Sequence, residues 1–280
     1  MSILERVQSV AESLTPAEHL LVREVIAKPR DVALGTASSL ARSIGVHEAT
    51  ASRLAKKLGF PSYAGFRDAI REEFIVKADP ANRVRKTLEA SRNGDLLQAL
   101  VAREIEALTA LPNYLDTSRI EAAAQTLSNA NRIFVFARGN AVNLSVMVER
   151  RLLRMGLDVE VLGGDGRDMA ERVLRMGSQD VLLAFAFRRQ PRHYAPLMEH
   201  AHRLGAKTLV ISGSLGPALT PAPNLLLSAP RSGSNDSFQT LTVPMAITNA
   251  LVLTVAQMNQ EMTLARLDAL GELINAFEGR

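Results

Sequence analysis

The sequence predicts two folds in tandem: an all-α N-terminal region, then an α/β domain in which a parallel sheet is covered by helices on both faces. Three observations predict it. Residues 1–77 show helical periodicity and no strand-like run. From about residue 131, short apolar runs alternate with amphipathic segments, and glycines close those segments. Alternation of this kind means βαβ units and a parallel sheet. Right-handed crossovers then make a three-layer sandwich.

A chain of 280 residues is one large domain or two ordinary ones. Hydrophobic residues are 47% of it and aromatics only 4%, so the core is built from Ala, Leu, Val and Ile. Cysteine is absent, which excludes disulfides, cysteine–zinc sites and a thiol nucleophile, and fits a reducing cytosol. The opening MSILERVQSVAESL carries Glu5 and Glu12 among its apolar residues, so it is an amphipathic helix and not a signal peptide. Val243–Met258 is apolar but short, and it contains Asn249, so no membrane span is expected and a cytoplasmic location is. The net charge is +4, from 33 Lys+Arg against 29 Asp+Glu. With a pI of about 9.7, this permits a nucleic-acid partner without demanding one.

The N-terminal elements follow from caps and breakers. Thr15-Pro16-Ala17-Glu18 is a helix start, with Thr15 as N-cap, Pro16 at N1 and Glu18 at N3. Pro29 stops that helix. Further helices start near Thr36 and near His47, and the helical pattern continues to about Phe74. Residues 78–124 look like a helical linker. Asp79-Pro80 and Ser91–Asp95 break the pattern, and a helix runs from about Leu96 to Ala110. Its positions Leu97, Leu100, Val101, Ile105 and Leu108 share one face, which suits a packing surface or a plain connector.

The α/β domain is expected over 125–262. Strands are predicted at Ile133–Phe136, Val159–Leu162, Val181–Phe187, Thr208–Ile211 and Leu225–Leu227. Helices are predicted at Asn143–Met155, Arg167–Met176, His193–Leu204 and Phe238–Met258, the first three closed by Gly156, Gly177 and Gly205. Asp236 or Ser237 would cap the fourth. A last amphipathic helix, Met262 to Phe277, falls in a tail of 263–280.

The strongest signal is TASSLARSIGVHEATASRLAKKLGFPSYAGFR, residues 36–67. Leu40 and Ala41 put one helix on the core. Ile44-Gly45-Val46 is a tight turn, and His47-Glu48-Ala49-Thr50 opens the next helix, buried through Ala51, Leu54, Ala55 and Leu58. Helix, glycine turn, helix is the motif whose second helix enters the major groove of double-stranded DNA. His47, Glu48, Thr50, Ser52, Arg53, Lys56 and Lys57 are assigned to its exposed side. Across 42–67, five basic residues (Arg42, Arg53, Lys56, Lys57, Arg67) are set against the single acid Glu48. Arg53 suits a guanine edge, Thr50 a thymine methyl or a phosphate, and Lys56 and Lys57 backbone phosphates. A charge run alone usually marks a solvated helix face. The glycine turn and the basic cluster together point to DNA.

LARSIGVHEATASRLAKKLGFPSYAGFR, with LTPAEHLLVREVIAKP upstream, resembles the N-terminal domain of RpiR/MurR-type bacterial transcriptional regulators over about residues 1–77. His47 departs from the pattern, which more often has a small N-capping hydroxyl residue there. The resemblance implies that the second domain is a sugar-isomerase (SIS) fold, a flavodoxin-like sheet, and the βα pattern matches. It also implies a small-molecule effector, a carbohydrate derivative, bound by that domain.

By the same resemblance, two serine- and glycine-rich turns would carry a sugar phosphate, after the first and third strands. Here the first turn reads Ala137-Arg138-Gly139-Asn140-Ala141, with Ala141 at the serine position. The second reads Ala186-Phe187-Arg188-Arg189-Gln190-Pro191, with both serines, the glycine and the threonine replaced. Three readings stay open. Arg138, Arg188 and Arg189 bind an acidic metabolite or sugar acid as guanidinium forks; or they make salt bridges within the domain or across a dimer; or they hold a sugar phosphate in another geometry. Gly139, Asn140 and Ser237 join the candidate effector set. In the loop APRSGSNDSFQ (229–239), capping explains each donor better than ligand contact does.

The fold also serves enzymes, so it does not exclude catalysis. His193 and Glu199 lie near the arginine turn, with His200 and His202 following, but no carboxylate completes a constellation with them. GGDG (163–166) lacks the lysine and the spacing of a nucleotide loop, and no spacing suggests a metal, so no cofactor and no catalytic step are expected. The expectation is a regulator that binds operator DNA as a homodimer or homotetramer and answers to a small effector. The runner-up is an SIS-fold isomerase-like enzyme with a helical interaction domain.

Overall fold

The computed structural model describes residues 3–10, 13–72, 80–90, 94–233 and 237–279. The chain forms two compact units. One comprises residues 1–100 with 233–239, the other 101–232 with 240–280.

The first unit is helical. Its elements are α1 (Ile3–Val10), α2 (Pro16–Ala27), α3 (Pro29–Leu34), α4 (Ala37–Ser43), α5 (Glu48–Lys57), α6 (Tyr63–Arg71) and α7 (Pro80–Ala90). The predicted capping box opens α2: Glu18 N–H donates to Thr15 Oγ1 at 3.3 Å, and Thr15 N–H to Glu18 Oε2 at 2.8 Å. Pro29 does more than end α2. It is the first residue of α3, where its missing N–H is harmless. Thr36 caps α4 through a second box with Ser39. Leu21, Val25, Leu40, Leu54, Phe66 and Ile70 fill the core between these helices.

The chain passes through α8 (Leu96–Ala110) to α9 (Thr117–Ser128). Sequence reading left α9 inside the linker. Its Ile120, Ala123, Ala124 and Leu127 are buried in the core of the α/β unit, which therefore begins upstream of residue 125. The strands are β1 (Ile133–Phe136), β2 (Val159–Leu162), β3 (Val181–Ala186), β4 (Lys207–Ser212) and β5 (Leu225–Ser228). All are parallel, in the order β2-β1-β3-β4-β5. The near-continuous apolar runs of the central strands β1, β3 and β4 are explained by burial on both faces, while the edge strands β2 and β5 are only partly buried. Ile133, Val135, Leu183 and Phe185 pack with α9, α10 (Val142–Arg154) and α13 (Thr242–Met258). α11 (Gly166–Val173) and α12 (Tyr194–Leu204) pack on the sheet as well. The final helix is α14 (Gln260–Glu278).

Two expectations need correction. The helix predicted from Phe238 starts at Thr242, so Ser237 does not cap it. Pro244 is the reason: a helix from Phe238 would put it in the interior, clashing with the carbonyl four residues back, whereas from Thr242 it falls in the first turn. Ser234, Asn235 and the alternative cap Asp236 lie outside the described residues. The helix predicted to Met176 ends at Val173, so Gly177 is not its cap; its N–H instead meets Asp180 Oδ2 at 2.7 Å. Gly156 and Gly205 do close α10 and α12 with left-handed φ values of 84° and 76°.

Candidate functional site

Two sets of residues were expected to carry function, one in each unit. In the helical unit, α4 and α5 are joined by a short turn in which Gly45 has φ +71°. His47 caps α5: its Nδ1 accepts the Ala49 N–H at 3.2 Å. The imidazole thus performs the cap that a hydroxyl would supply. Glu48 is exposed in the first turn, where a carboxylate suits the helix dipole. Arg53 and Lys56 are exposed and Ser52 is half-buried.

Thr50 is not on the exposed side. It retains 6% of its surface, because it lies four residues before Leu54 and so shares the buried face. Its hydroxyl accepts from Arg53 Nη2 at 3.3 Å, along the helix. Lys57 also departs from expectation. Its Nζ lies 2.8 Å from Glu18 Oε2 and 2.6 Å from the Ser13 carbonyl. Burial raises the affinity of the Glu18 carboxyl for its proton, yet the bonds from Lys57 and Thr15 outweigh it and hold the group below its ordinary value. Arg67 sits 3.3 Å from Asp68 at the surface. The local count of one acid against five bases therefore overstated the excess, since Glu18 reaches α5 from 39 residues away.

In the second unit the sheet order has a topological consequence. The chain leaves β1 for β2 on one side and returns to β3 on the other, so the turns after β1 and β3 are neighbours at the strands' C-terminal ends, the switch point where ligands bind in sheets of this kind. One turn carries Arg138, Gly139 and Asn140; the other carries Arg188 and Arg189. Gly139 has φ +60° and opens a 3₁₀ turn that runs into α10. Ala141 and Ala186, where the resemblance puts serines, are buried methyl groups. The Ala186 carbonyl accepts from Ser212 Oγ.

Arg138 is engaged within the domain. Its Nη2 donates to the Gly164 carbonyl at 2.8 Å, in the loop after β2, and its guanidinium lies 5.2 Å from the Phe136 ring centre. Arg188 is half-buried and Arg189 exposed. Their loop is pinned on both sides. Gln190 Oε1 accepts from Thr220 N–H at 2.9 Å, and the His193 ring lies against Gly166. His193 is the one non-glycine residue with positive φ among the described residues, at +72°. Ser237 is not grouped with these residues; it is buried in the segment 233–239 that clusters with residues 1–100.

Sequence reasoning named Arg231 only as a donor in the loop 229–239, and it missed Glu104. Arg231 lies 5.3 Å from the Phe187 ring centre. Glu104 on α8 accepts from Ser232 Oγ at 2.5 Å and Thr240 Oγ1 at 2.8 Å through one carboxylate oxygen. A signal existed for Glu104: it falls at i+7 from Leu97 and i−4 from Leu108, an acid inside an apolar stripe. No helix among the described residues is long and apolar enough to cross a membrane.

Residues 1–77 match the model of the helix-turn-helix domain of the rpiR family, and residues 126–254 match that of the SIS domain. An uncharacterized HTH-type transcriptional regulator of Haemophilus influenzae is 24% identical over 81% of this chain and 79% of its own length. The bifunctional protein glk of Burkholderia mallei is 22% identical over 77% of this chain, which spans only 33% of that protein. Two solved structures share the fold. The sugar isomerase domain of an RpiR transcription factor from Sphaerobacter thermophilus (TM-score 0.58, 21% identity) covers 63% of this chain and 98% of its own. The NanR protein of Vibrio vulnificus, solved with ManNAc-6P (TM-score 0.58, 16% identity), covers 99% of each chain. The chain thus carries a helix-turn-helix domain of the rpiR family followed by a SIS domain, the arrangement of a DNA-binding transcriptional regulator.

Proposed function

We propose that this regulator binds an operator through α5 and that a small anionic effector, held by the SIS domain at the crevice between the turns after β1 and β3, modulates that binding. Arg53 reads a base edge, Lys56 meets a phosphate, and His47, Glu48 and Ser52 line the approach of α5 to the groove. In the crevice, Arg188 and Arg189 supply the guanidinium forks, with the backbone at Gly139 and Asn140 beside them. Arg138 contributes by fixing the turn, since its Nη2 is committed to Gly164.

The observation that carries this reading is the juxtaposition of the two turns at the switch point of the sheet. With methyl groups at Ala141 and Ala186, the effector is an acidic metabolite or sugar acid rather than a sugar phosphate held by hydroxyls. The NanR protein complexed with ManNAc-6P supports the broader class, an anionic carbohydrate derivative in this fold.

The working unit is a homodimer or a homotetramer, in the cytoplasm and on the nucleoid. Exposed apolar residues of α14, among them Leu264, Ile274 and Phe277, supply an interface. Effector binding that favours one arrangement of the two protomers changes the spacing of their α5 helices, and so the affinity for a pseudo-palindromic site.

A thermal-shift screen of acidic metabolites, sugar acids and sugar phosphates tests the effector reading, because a ligand of the native state raises its melting temperature. A hit that is lost in Arg188→Ala/Arg189→Ala, with operator binding kept, supports it. No hit in any class, or turnover of a sugar phosphate, overturns it. Arg53→Ala weakens operator binding by roughly 1–3 kcal/mol if it reads a base; unchanged binding removes that role.

A further inference from the structure

The buried face of α5 offers Thr50, Ala51, Leu54 and Ala55 to the core. Polar bonds hold both of its ends. At the N-terminus His47 closes the cap. At the C-terminus, Arg6 Nη1 donates to the Leu58 carbonyl at 2.9 Å, and Lys57 Nζ reaches both Glu18 and the Ser13 carbonyl. Glu18 is itself buried and held by the Thr15 N–H and hydroxyl at 2.8 and 3.1 Å. A carboxylate fixed on this scale is a rigid anchor, set by the first turn of α2.

We infer that Lys57 is a positioning residue of the DNA-binding domain: through Glu18 it fixes the pose of α5 against α2, and it does not neutralise a DNA phosphate. The adjacent Lys56 does that. An ammonium 2.8 Å from a buried carboxylate is already neutralised within the domain, so it adds little to the neutralisation of a phosphate and releases little of the cation atmosphere condensed on DNA. Two of its three N–H bonds are also committed within the domain. The exposed Lys56 has neither restriction.

This rests on α5 being the recognition helix, and the test separates the two ideas. A duplex operator is first selected in vitro from random sequence. Its dissociation constant is then measured between 50 and 200 mM KCl, well below the melting temperature of each variant. Lys56→Met is expected to lower the magnitude of the log–log salt slope by about 0.9, one phosphate contact. Lys57→Met is expected to keep the wild-type slope while affinity falls about tenfold. Glu18→Gln should give the same loss, the double variant no further loss, and Lys57→Arg should restore most of the affinity. Glu18→Gln keeps an oxygen for the Thr15 bonds and so carries the test if Lys57→Met does not fold. A slope lowered by Lys57→Met as much as by Lys56→Met makes Lys57 a phosphate contact and overturns the inference. So does a lower melting temperature with affinity unchanged, which leaves only a structural bond. If Lys56→Met and Arg53→Ala move neither slope nor affinity, α5 is not the recognition helix and both readings fall together.

Discussion

The guanidinium of Arg138 donates to the carbonyl of Gly164 at 2.8 Å, tying the turn after β1 to the loop after β2. The bond thus fixes the turn that carries Gly139 and Asn140. Arg138→Met is therefore expected to cost about 1 kcal/mol of stability, the ordinary worth of such a bond. Urea midpoints for the two proteins measure it. An unchanged midpoint would mean that Gly164 and Arg138 are each as well served by water.

Gly45 tests the turn of the DNA-binding motif. A Cβ there would meet nothing within 4 Å, so the whole effect of Gly45→Ala comes from the backbone at φ +71°. Destabilisation of about 1–2 kcal/mol is expected. Gly45→Asn should cost less, because Asn tolerates the left-handed region. Equal losses in the two variants would show that something other than φ limits this position.

His193 allows the same argument in reverse. Both His193→Ala and His193→Gly remove the ring that lies against Gly166, but only glycine relieves the φ of +72°. His193→Gly should therefore be more stable than His193→Ala by about 1 kcal/mol. Thermal melts of the pair decide it, and equal melting temperatures would mean that the loop relaxes once the ring is gone.

The Glu18 carboxyl has a defined pH signature. Its folded value lies below the ordinary 4.5, because the bonds from Lys57 and Thr15 outweigh burial. The ionised group therefore contributes stability that is fully present above pH 4.5 and is lost as pH falls through the lower folded value. The stability difference between wild type and Glu18→Gln should be constant near neutrality and shrink below pH 4.5. Equilibrium unfolding in urea at a series of pH values measures this, and a difference that persists at low pH would count against an ionised Glu18.

Tyr194 is fully buried, and its hydroxyl donates to the Pro221 carbonyl at 3.0 Å. Burial pushes the phenol well above its ordinary range, so it stays neutral and a donor. Tyr194→Phe leaves that carbonyl unpaired and is expected to cost about 1–2 kcal/mol. No loss of stability in chemical denaturation would indicate that the loop after β4 shifts to find another donor.

The sequence by itself determined the local elements and their order. Thr15, Thr36 and His47 mark helix starts because a cap bond spans only two or three residues. The central strands were legible because parallel strands buried on both faces are continuous apolar runs. The sequence also contained the string at 36–67 that identifies the family. Tertiary structure alone decided what distant residues do to one another. Lys57 read as part of an exposed basic face, and Glu18, 39 residues away, pairs with it. Arg138 looked free to bind an anion, and Gly164 claimed one of its nitrogens. α9 looked like linker, and its buried face belongs to the α/β core. The physical reason is common to all three. Caps and periodicity are short-range and leave a pattern in consecutive residues, whereas an ion pair or a packed face joins segments whose spacing in the chain carries no sign of their contact.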